Sequence, residues 1–310
     1  MRVVFFGSGE FGLPTLQRLH ANHDVSLVVS QPDRPAGRGS KMTPTPIAQW
    51  AQEHDLEIIK PENVNEREVT ERIRSIECDG WVVIAFGQKL SPSLLADRRA
   101  MNLHASLLPR WRGAAPIHHA ILSGDSITGN SVITLADKMD AGLVLATSNR
   151  LILPEYTTAK LHELLAQDGP DLIESCLIRS QSEWPFGAAQ DPSKVTHARK
   201  LSKSDACIDF NVDAATCRNR IHAFNPWPGV EILFRDQPLK LHRASAGHEA
   251  GTFTPGELID ASIGTVYCGQ GTSLQLLEVQ SPGKRSMTWS EFAAGHQPQR
   301  GEIMRGGPRS

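Results

Sequence analysis

The chain of 310 residues is 40% hydrophobic and 21% charged, the balance of a globular protein with a core to bury and not of a disordered or fibrous one. Its 32 Lys and Arg against 34 Asp and Glu leave a formal charge of −2, which excludes a general polyanion binder and requires any nucleic-acid contact to come from a local basic surface. The five cysteines, Cys78, Cys176, Cys207, Cys217 and Cys268, form no CxxC pair and are odd in number, which argues against a disulfide framework or structural zinc and for a reducing compartment.

The first apolar run covers only residues 3–6 before Gly7, too short for a signal-peptide core, and no later stretch approaches the ~18 apolar residues of a membrane span. The sequence therefore reads as soluble and cytoplasmic, with no membrane association. Residues 3–6, 25–29, 81–86 and 131–135 predict buried strands, while 14–19, 46–52, 69–76 and 115–122 carry helical spacing. This βαβ alternation predicts an α/β fold, a Rossmann-like domain whose mostly parallel sheet has helices on both faces. Residues 161–178 add one more amphipathic helix. The pattern breaks at Trp184-Pro185-Phe186-Gly187, and the polar stretch beyond it carries Lys194, Arg199, Lys200 and Lys203. The expected division is a catalytic domain over 1–186, a basic linker over 187–204 and a C-terminal domain over 205–310. In the last, brief apolar runs at 230–234, 265–268 and 274–277 are separated by Gly and Pro, the pattern of a small β-barrel.

Two local patterns point to a nicotinamide dinucleotide. Gly7-Ser8-Gly9-Glu10-Phe11-Gly12 satisfies GxGxxG between a predicted strand and a predicted helix, with Asp33 about 20 residues on. Asp33, however, sits in a turn-rich run from Gln31 to Gly39 and not at a strand end, and the alternative is a tight structural turn. Tyr156 and Lys160 match the YxxxK spacing of short-chain dehydrogenases; the alternative is that Thr157 or Thr158 caps the helix that follows.

The most informative stretch runs from Met101 through Pro116. Asn102 and His104 are two apart, so on a strand both face one way while Leu103 faces the other. An amide and an imidazole then converge at the carboxyl end of a strand, where open α/β sheets bind ligands. Asp140 follows the strand predicted at 131–135, in a loop ending at Gly142, from which a carboxylate can orient a histidine or collect a proton. Asn102, His104 and Asp140 together can stabilise a tetrahedral oxyanion and manage proton transfer. Taken singly, they also read as hydrogen-bonded strand-end residues and a turn former. Arg110 and Arg112 likewise read as turn anchors, Arg34 and Arg38 as solubilising charges of a long loop, and Trp227 as packing for the barrel base.

With these residues in view, the chain closely resembles the 10-formyltetrahydrofolate-dependent formyltransferases, and within them the branch that acts on tRNA. The matching segments are Gln31 through Gly39, Asn102-Leu103-His104 through Gly113-Ala114-Ala115-Pro116, Asp140, Lys200-Leu201-Ser202-Lys203, and Ala223-Phe224-Asn225-Pro226-Trp227-Pro228-Gly229. The resemblance implies a Rossmann-like formyltransferase domain joined by a basic linker to an OB-like barrel. It implies Asn102, His104 and Asp140 as catalytic trio, Ser106, Leu107, Leu108 and Pro109 as folate-contacting turn, and Phe86, Gly87 and Gln88 along the pterin. Its implied donor is 10-formyltetrahydrofolate, and its acceptor the α-amino group of initiator Met-tRNA, formylated for initiation of translation. The tRNA contacts would come from Arg34, Arg38, Lys41, Lys194, Arg199, Lys200 and Lys203, with no metal and a monomeric enzyme. Gly7-Ser8-Gly9-Glu10 and Gly295-His296-Gln297-Pro298 depart from the family pattern. Three other readings share parts of this one: a formyltransferase with another amine acceptor, an NAD(P)-dependent oxidoreductase and a non-catalytic RNA-binding protein.

Overall fold

The computed structural model describes residues 1–36 and 40–307. The chain folds into two compact units that interleave along the sequence, where the sequence reading divides it linearly. The first holds Met1–Gly113, Gly129–Arg150 and His162–His197; the second holds Ala114–Thr128, Leu151–Leu161 and the chain from Ala198 onward.

In the first unit the sheet follows the spatial order Val144–Leu151, Ile127–Thr134, Ala100–His104, Gly80–Ile84, Arg2–Gly7, Asp24–Val29, Ile58–Ile59. Arg2–Gly7 runs parallel to both of its neighbours, and Gly80–Ile84 runs parallel to Ala100–His104. Ile127–Thr134 turns the direction, pairing antiparallel with Ala100–His104 through Asn102↔Ile133 and His104↔Ser131. Val3, Val4, Phe5 and Phe6 are all fully buried. That is why the first strand reads as an unbroken apolar run: helices cover both faces, so neither face can be polar. Phe6 packs against Trp81 and edge-on to Phe86, at ring separations of 5.1 and 5.6 Å.

The strand predicted at 81–86 stops at Ile84, because Ala85 and Gly87 take φ of 47° and 88° and turn the chain out of the sheet. Val144–Leu151 carries no strand prediction. Its Thr147, Ser148, Asn149 and Arg150 are four polar residues in a row at a sheet edge, exposed and half-buried in turn with none fully buried, so no apolar run marks the strand. Pro46–Glu53 starts as expected, with Pro46 in its first turn and the Thr45 hydroxyl accepting from the Ala48 amide at 3.1 Å.

The second unit is a curled antiparallel sheet in the order Leu258–Asp260, Thr265–Cys268, Thr272–Gln280, Gln237–His248, Val230–Phe234, Met304–Gly306. Irregularities on either side of Arg243 bend the long strand Gln237–His248 where it crosses Thr272–Gln280. The sheet then curves until its ends meet: Leu258 donates to Glu302 O at 2.8 Å and Met304 to Gly256 O at 2.7 Å. Val230, Ile232 and Phe234 alternate into the core with Leu239 and Leu241 opposite. Two helices close it, Ala214–Ala223 capped by Asp213 and Trp289–His296 capped by a Thr288–Glu291 box.

His222 lies in that closing helix, almost fully buried. The Ala244 amide donates to its Nε2 at 3.1 Å, and an amide cannot accept, so Nε2 holds a lone pair while Nδ1–H donates to Pro154 O at 3.1 Å. Burial, reinforced by the positive charges of Arg218 and Arg243, pushes its pKa down to about 4 from 6.5. Above pH 6.5 both folded and unfolded chains carry a neutral ring and His222 adds no pH dependence. As the pH falls below that, the unfolded chain takes a proton that the folded chain refuses, so stability is lost down to about pH 4, by about 3 kcal/mol in full. Urea titrations across this window should therefore show a declining stability, and His222→Gln, whose amide keeps a donor and an acceptor, should remove that part of the decline; an unchanged slope in the variant refutes the assignment.

Candidate active site

Ala100–His104 ends in the middle of the first unit's sheet, and the chain then folds back in a turn over 105–113. The turn is held from inside. Ser131, buried on the antiparallel neighbour, donates from Oγ to Ser106 O at 2.7 Å and accepts from the Leu108 amide at 3.0 Å. Ser106 is fully buried and donates to Arg110 O at 2.6 Å. Leu107 and Pro109 are half-buried, Leu108 is buried, and the Leu108–Pro109 peptide is cis. Further on, Trp111 takes a φ of 61°, and the Trp111 and Arg112 amides donate to Oγ1 and O of Thr196, both at 2.9 Å.

That fold-back brings the Trp111 carbonyl to the Nε2 of His104 at 2.9 Å. A carbonyl only accepts, so Nε2 carries a hydrogen and Nδ1 is the ring's free nitrogen. Nδ1 lies 3.7 Å from Asp140 Oδ2. This is beyond a direct hydrogen bond, and it is close enough for the carboxylate to stabilise an imidazolium. Asp140 Oδ2 also accepts from the Gly113 amide at 2.8 Å, which fixes its orientation. Asn102 sits two residues before His104 on the same strand, half-buried, and its carboxamide makes no hydrogen bond to any described residue. The pleat turns it toward the same face as His104. The site thus offers an uncommitted amide donor, one free imidazole nitrogen and an anchored carboxylate.

The other expected ligand residues divide by what their side chains do. Phe86 is buried in the aromatic cluster, and the Gln88 carboxamide bridges the Val64 amide at 2.8 Å and Pro61 O at 3.1 Å, so both hold the loop that exposes Gly87. Two of the three glycines in the turn, Gly7 and Gly12, are packed against by the protein's own Phe5 ring. A Cβ on Gly7 would lie 2.5 Å from the Phe5 ring, and the Ser8 hydroxyl donates to Phe86 O at 3.0 Å and accepts from the Gln31 amide at 3.1 Å. Asp33, the acid a ribose would need, receives Lys60 Nζ at 2.7 Å. At the YxxxK segment, Thr157 accepts from the Lys160 amide at 3.4 Å, opening the helix Thr158–Ser180.

Among the basic residues, Arg34 pairs with Glu62 at 2.6 Å, Lys194 with Asp191 at 3.6 Å, and Arg199 with Asp205, which holds the Asp205 carboxyl well below its usual range. Lys41, Lys200 and Lys203 are exposed and form no ion pair with a described residue; Arg38 lies outside the described residues. Among the described residues no helix is long and apolar enough to cross a membrane, and no group of three or more His, Cys, Asp or Glu could hold a metal.

Sequence reasoning missed Gln190, whose side chain reaches the Asp140 loop; it stands in the stretch read as linker, which the antiparallel bridge between Val144 and Ala188 brings alongside that loop.

The formyl transferase family matches residues 1–177, and the formyl transferase C-terminal domain matches 200–297. The methionyl-tRNA formyltransferase of Methylococcus capsulatus is 41% identical over 300 residues, covering 96% of this chain and 97% of its own length. That of Hydrogenovibrio crunogenus is 36% identical over 302 residues, 96% of each chain. Of solved structures, the sugar 3N-formyl transferase WlaRD, crystallised with dTDP and 5-N-formyl-THF, shares the fold at a TM-score of 0.66 and 15% identity, over 92% of this chain and 99% of its own. HypX from Aquifex aeolicus, in complex with tetrahydrofolic acid, gives a TM-score of 0.61 at 14% identity, over 94% of this chain and 47% of the longer HypX. With the family profile covering more than half of its length and full-length relatives above a third identical, this chain belongs to the formyl transferase family.

Proposed function

We propose that the protein transfers the formyl group of 10-formyltetrahydrofolate to the α-amino group of initiator Met-tRNA, in the cytoplasm, for initiation of translation. The observation that carries the chemistry is the single free imidazole nitrogen of His104 beside the anchored Asp140, with the uncommitted Asn102 carboxamide on the same strand face. The acceptor rests on the relatives, which are methionyl-tRNA formyltransferases along nearly the whole chain.

An unperturbed α-amine has a pKa of about 7.7–8.0, so a usable fraction is neutral near pH 7 and no strong base is needed. Its lone pair forms the new C–N bond to the formyl carbon, and charge develops on the formyl oxygen, to which Asn102 donates. The attacking nitrogen gives up a proton to Nδ1 of His104, Asp140 stabilises the imidazolium, and the proton passes to N10 as the C–N10 bond breaks. The turn over 105–109 and the exposed Gly87 offer backbone and apolar surface to the folate, while Lys41, Lys200 and Lys203 supply charge to RNA phosphates without first breaking an ion pair.

Asn102→Ala, His104→Ala and Asp140→Ala should each lower kcat by about 10²–10³ with melting temperatures near wild type. Near-normal turnover of all three variants on Met-tRNA would remove the assignment. A reduced folate should raise the melting temperature and NADH should leave it unchanged, since only a ligand of the native state stabilises it; the reverse ranking would restore the dinucleotide reading. Finally, a Lys200→Ala, Lys203→Ala double variant should flatten the salt dependence of tRNA binding by about 0.7–0.9 log units per log unit of salt for each phosphate that is no longer neutralised. An unchanged slope would make these lysines plain surface charges.

A further inference from the structure

Asp140 is a non-glycine residue at a φ of 53°, a left-handed backbone that aspartate adopts only at a cost. The Gly113 amide holds its carboxylate, and one side-chain amide holds its backbone. Gln190 Nε2 donates to Asp140 O and to Gly142 O, both at 2.8 Å, so that its carboxamide spans Ala141 and occupies the carbonyls on either side. The loop cannot retreat in the other direction, because Gly142 lies so close to Thr134 that a Cβ there would stand 1.7 Å from the Thr134 carbonyl oxygen. Gln190 is itself fixed. Its Oε1 accepts from Nε and Nη2 of Arg112, at 3.0 and 2.7 Å.

Arg112 stands between the two backbone groups that set the site. The residue before it, Trp111, offers the carbonyl that takes Nε2–H of His104; the residue after it, Gly113, offers the amide that donates to Asp140 Oδ2. The hydrogen bonds therefore run as one chain of links: imidazole to Trp111, along the backbone to Arg112, through the guanidinium to Gln190, and through its amide to the backbone of Asp140. The separation of Nδ1 from the carboxylate is set by these links and not by a direct bond, since at 3.7 Å there is none.

We propose that Gln190, clamped by Arg112, is a positioning residue that sets the aim of the Asp140 carboxylate at His104. This rests on the reading above, in which His104 and Asp140 act together. The neutral amide is required: a glutamate at 190 would keep the size and the link to Arg112, yet it would offer two acceptors to two carbonyls and release the loop. A misplacement of about 1 Å at reacting groups costs on the order of 10²-fold in rate.

The experiment compares kcat, both KM values and melting temperature for Gln190→Glu, Gln190→Ala, Asp140→Ala and the Gln190→Ala, Asp140→Ala double variant, with 10-formyltetrahydrofolate and Met-tRNA as substrates. Gln190→Glu and Gln190→Ala should each lose roughly 10–10²-fold in kcat, with KM for either substrate changed far less and melting temperature close to wild type. The double variant should be no slower than Asp140→Ala alone, because once the carboxylate is gone its aim is immaterial. Should Gln190→Ala fold poorly, the isosteric Gln190→Glu carries the comparison. A strongly impaired Asp140→Ala beside a fully active Gln190→Glu overturns the proposal alone, as do losses that multiply in the double variant. A fully active Asp140→Ala overturns the reading of the site and this proposal with it.

Discussion

A backbone carbonyl can only accept a hydrogen bond, and the geometry of the candidate site follows from the one that Trp111 presents to His104. It settles which ring nitrogen is free. With Nε2 committed, the imidazole has a single working atom, and that atom faces a carboxylate too far to bond directly and near enough to matter electrostatically. For the carbonyl to be there, the chain must double back within a few residues of the strand's end, and three hydroxyl groups make that possible. Ser131 and Ser106 satisfy the buried turn from below, and Thr196 holds its outer limb. Each replaces a backbone partner that a sheet would otherwise supply, which is how an irregular turn stays buried without orphaned polar groups.

How much of this was legible in the sequence depends on the range over which each residue's constraint acts. Val3 to Phe6 declared a strand covered on both faces, because complete burial leaves no room for a polar residue. Asn102 and His104 declared a shared face, because the pleat has a period of two whatever surrounds it. Asp140 was legible as a loop acid, though its distance to His104 was not. Gln190 was invisible. Nothing around it is periodic or motif-like, and its position depends on the bridge of Ala188 to Val144, a pairing between segments far apart in the chain. The same holds for the unit boundaries: Ala114–Thr128 and Leu151–Leu161 belong with the C-terminal half through packing that no local pattern encodes. Gln237–His248, the longest strand of the second unit, was hidden by its irregularities around Arg243, which break the alternation that would have marked it.

The near-zero net charge is informative only once the pairs are drawn. Arg34, Lys194 and Arg199 each have an acidic partner within reach, so an RNA phosphate must compete with a carboxylate already in place. Exposed pairs of this kind are worth little, so the competition is winnable and yet not free. Lys41, Lys200 and Lys203 face no such competition. A count of basic residues in the linker therefore overstates the charge that is ready to meet a polyanion, and the ion pairs rank the residues in a way that the sequence could not.

The glycine-rich turn makes a related point about motifs. GxGxxG reports that a backbone is approached closely; it is silent about what approaches. In a dinucleotide enzyme the space above such glycines belongs to a pyrophosphate. Here the Phe5 ring closes on Gly7 and Gly12, and Ser8 ties the turn to the carbonyl of Phe86 and the amide of Gln31. The Gln31 side chain adds a second bond to the same Phe86 carbonyl, at 3.1 Å. The turn after the first strand thus serves as a buttress for the segment that leaves the neighbouring strand at Ala85, and the exposed backbone at Gly87 owes its position to that support. One strand beyond that neighbour, at Ala100–His104, the sheet changes from parallel to antiparallel, and the imidazole with one free nitrogen stands at that strand's end.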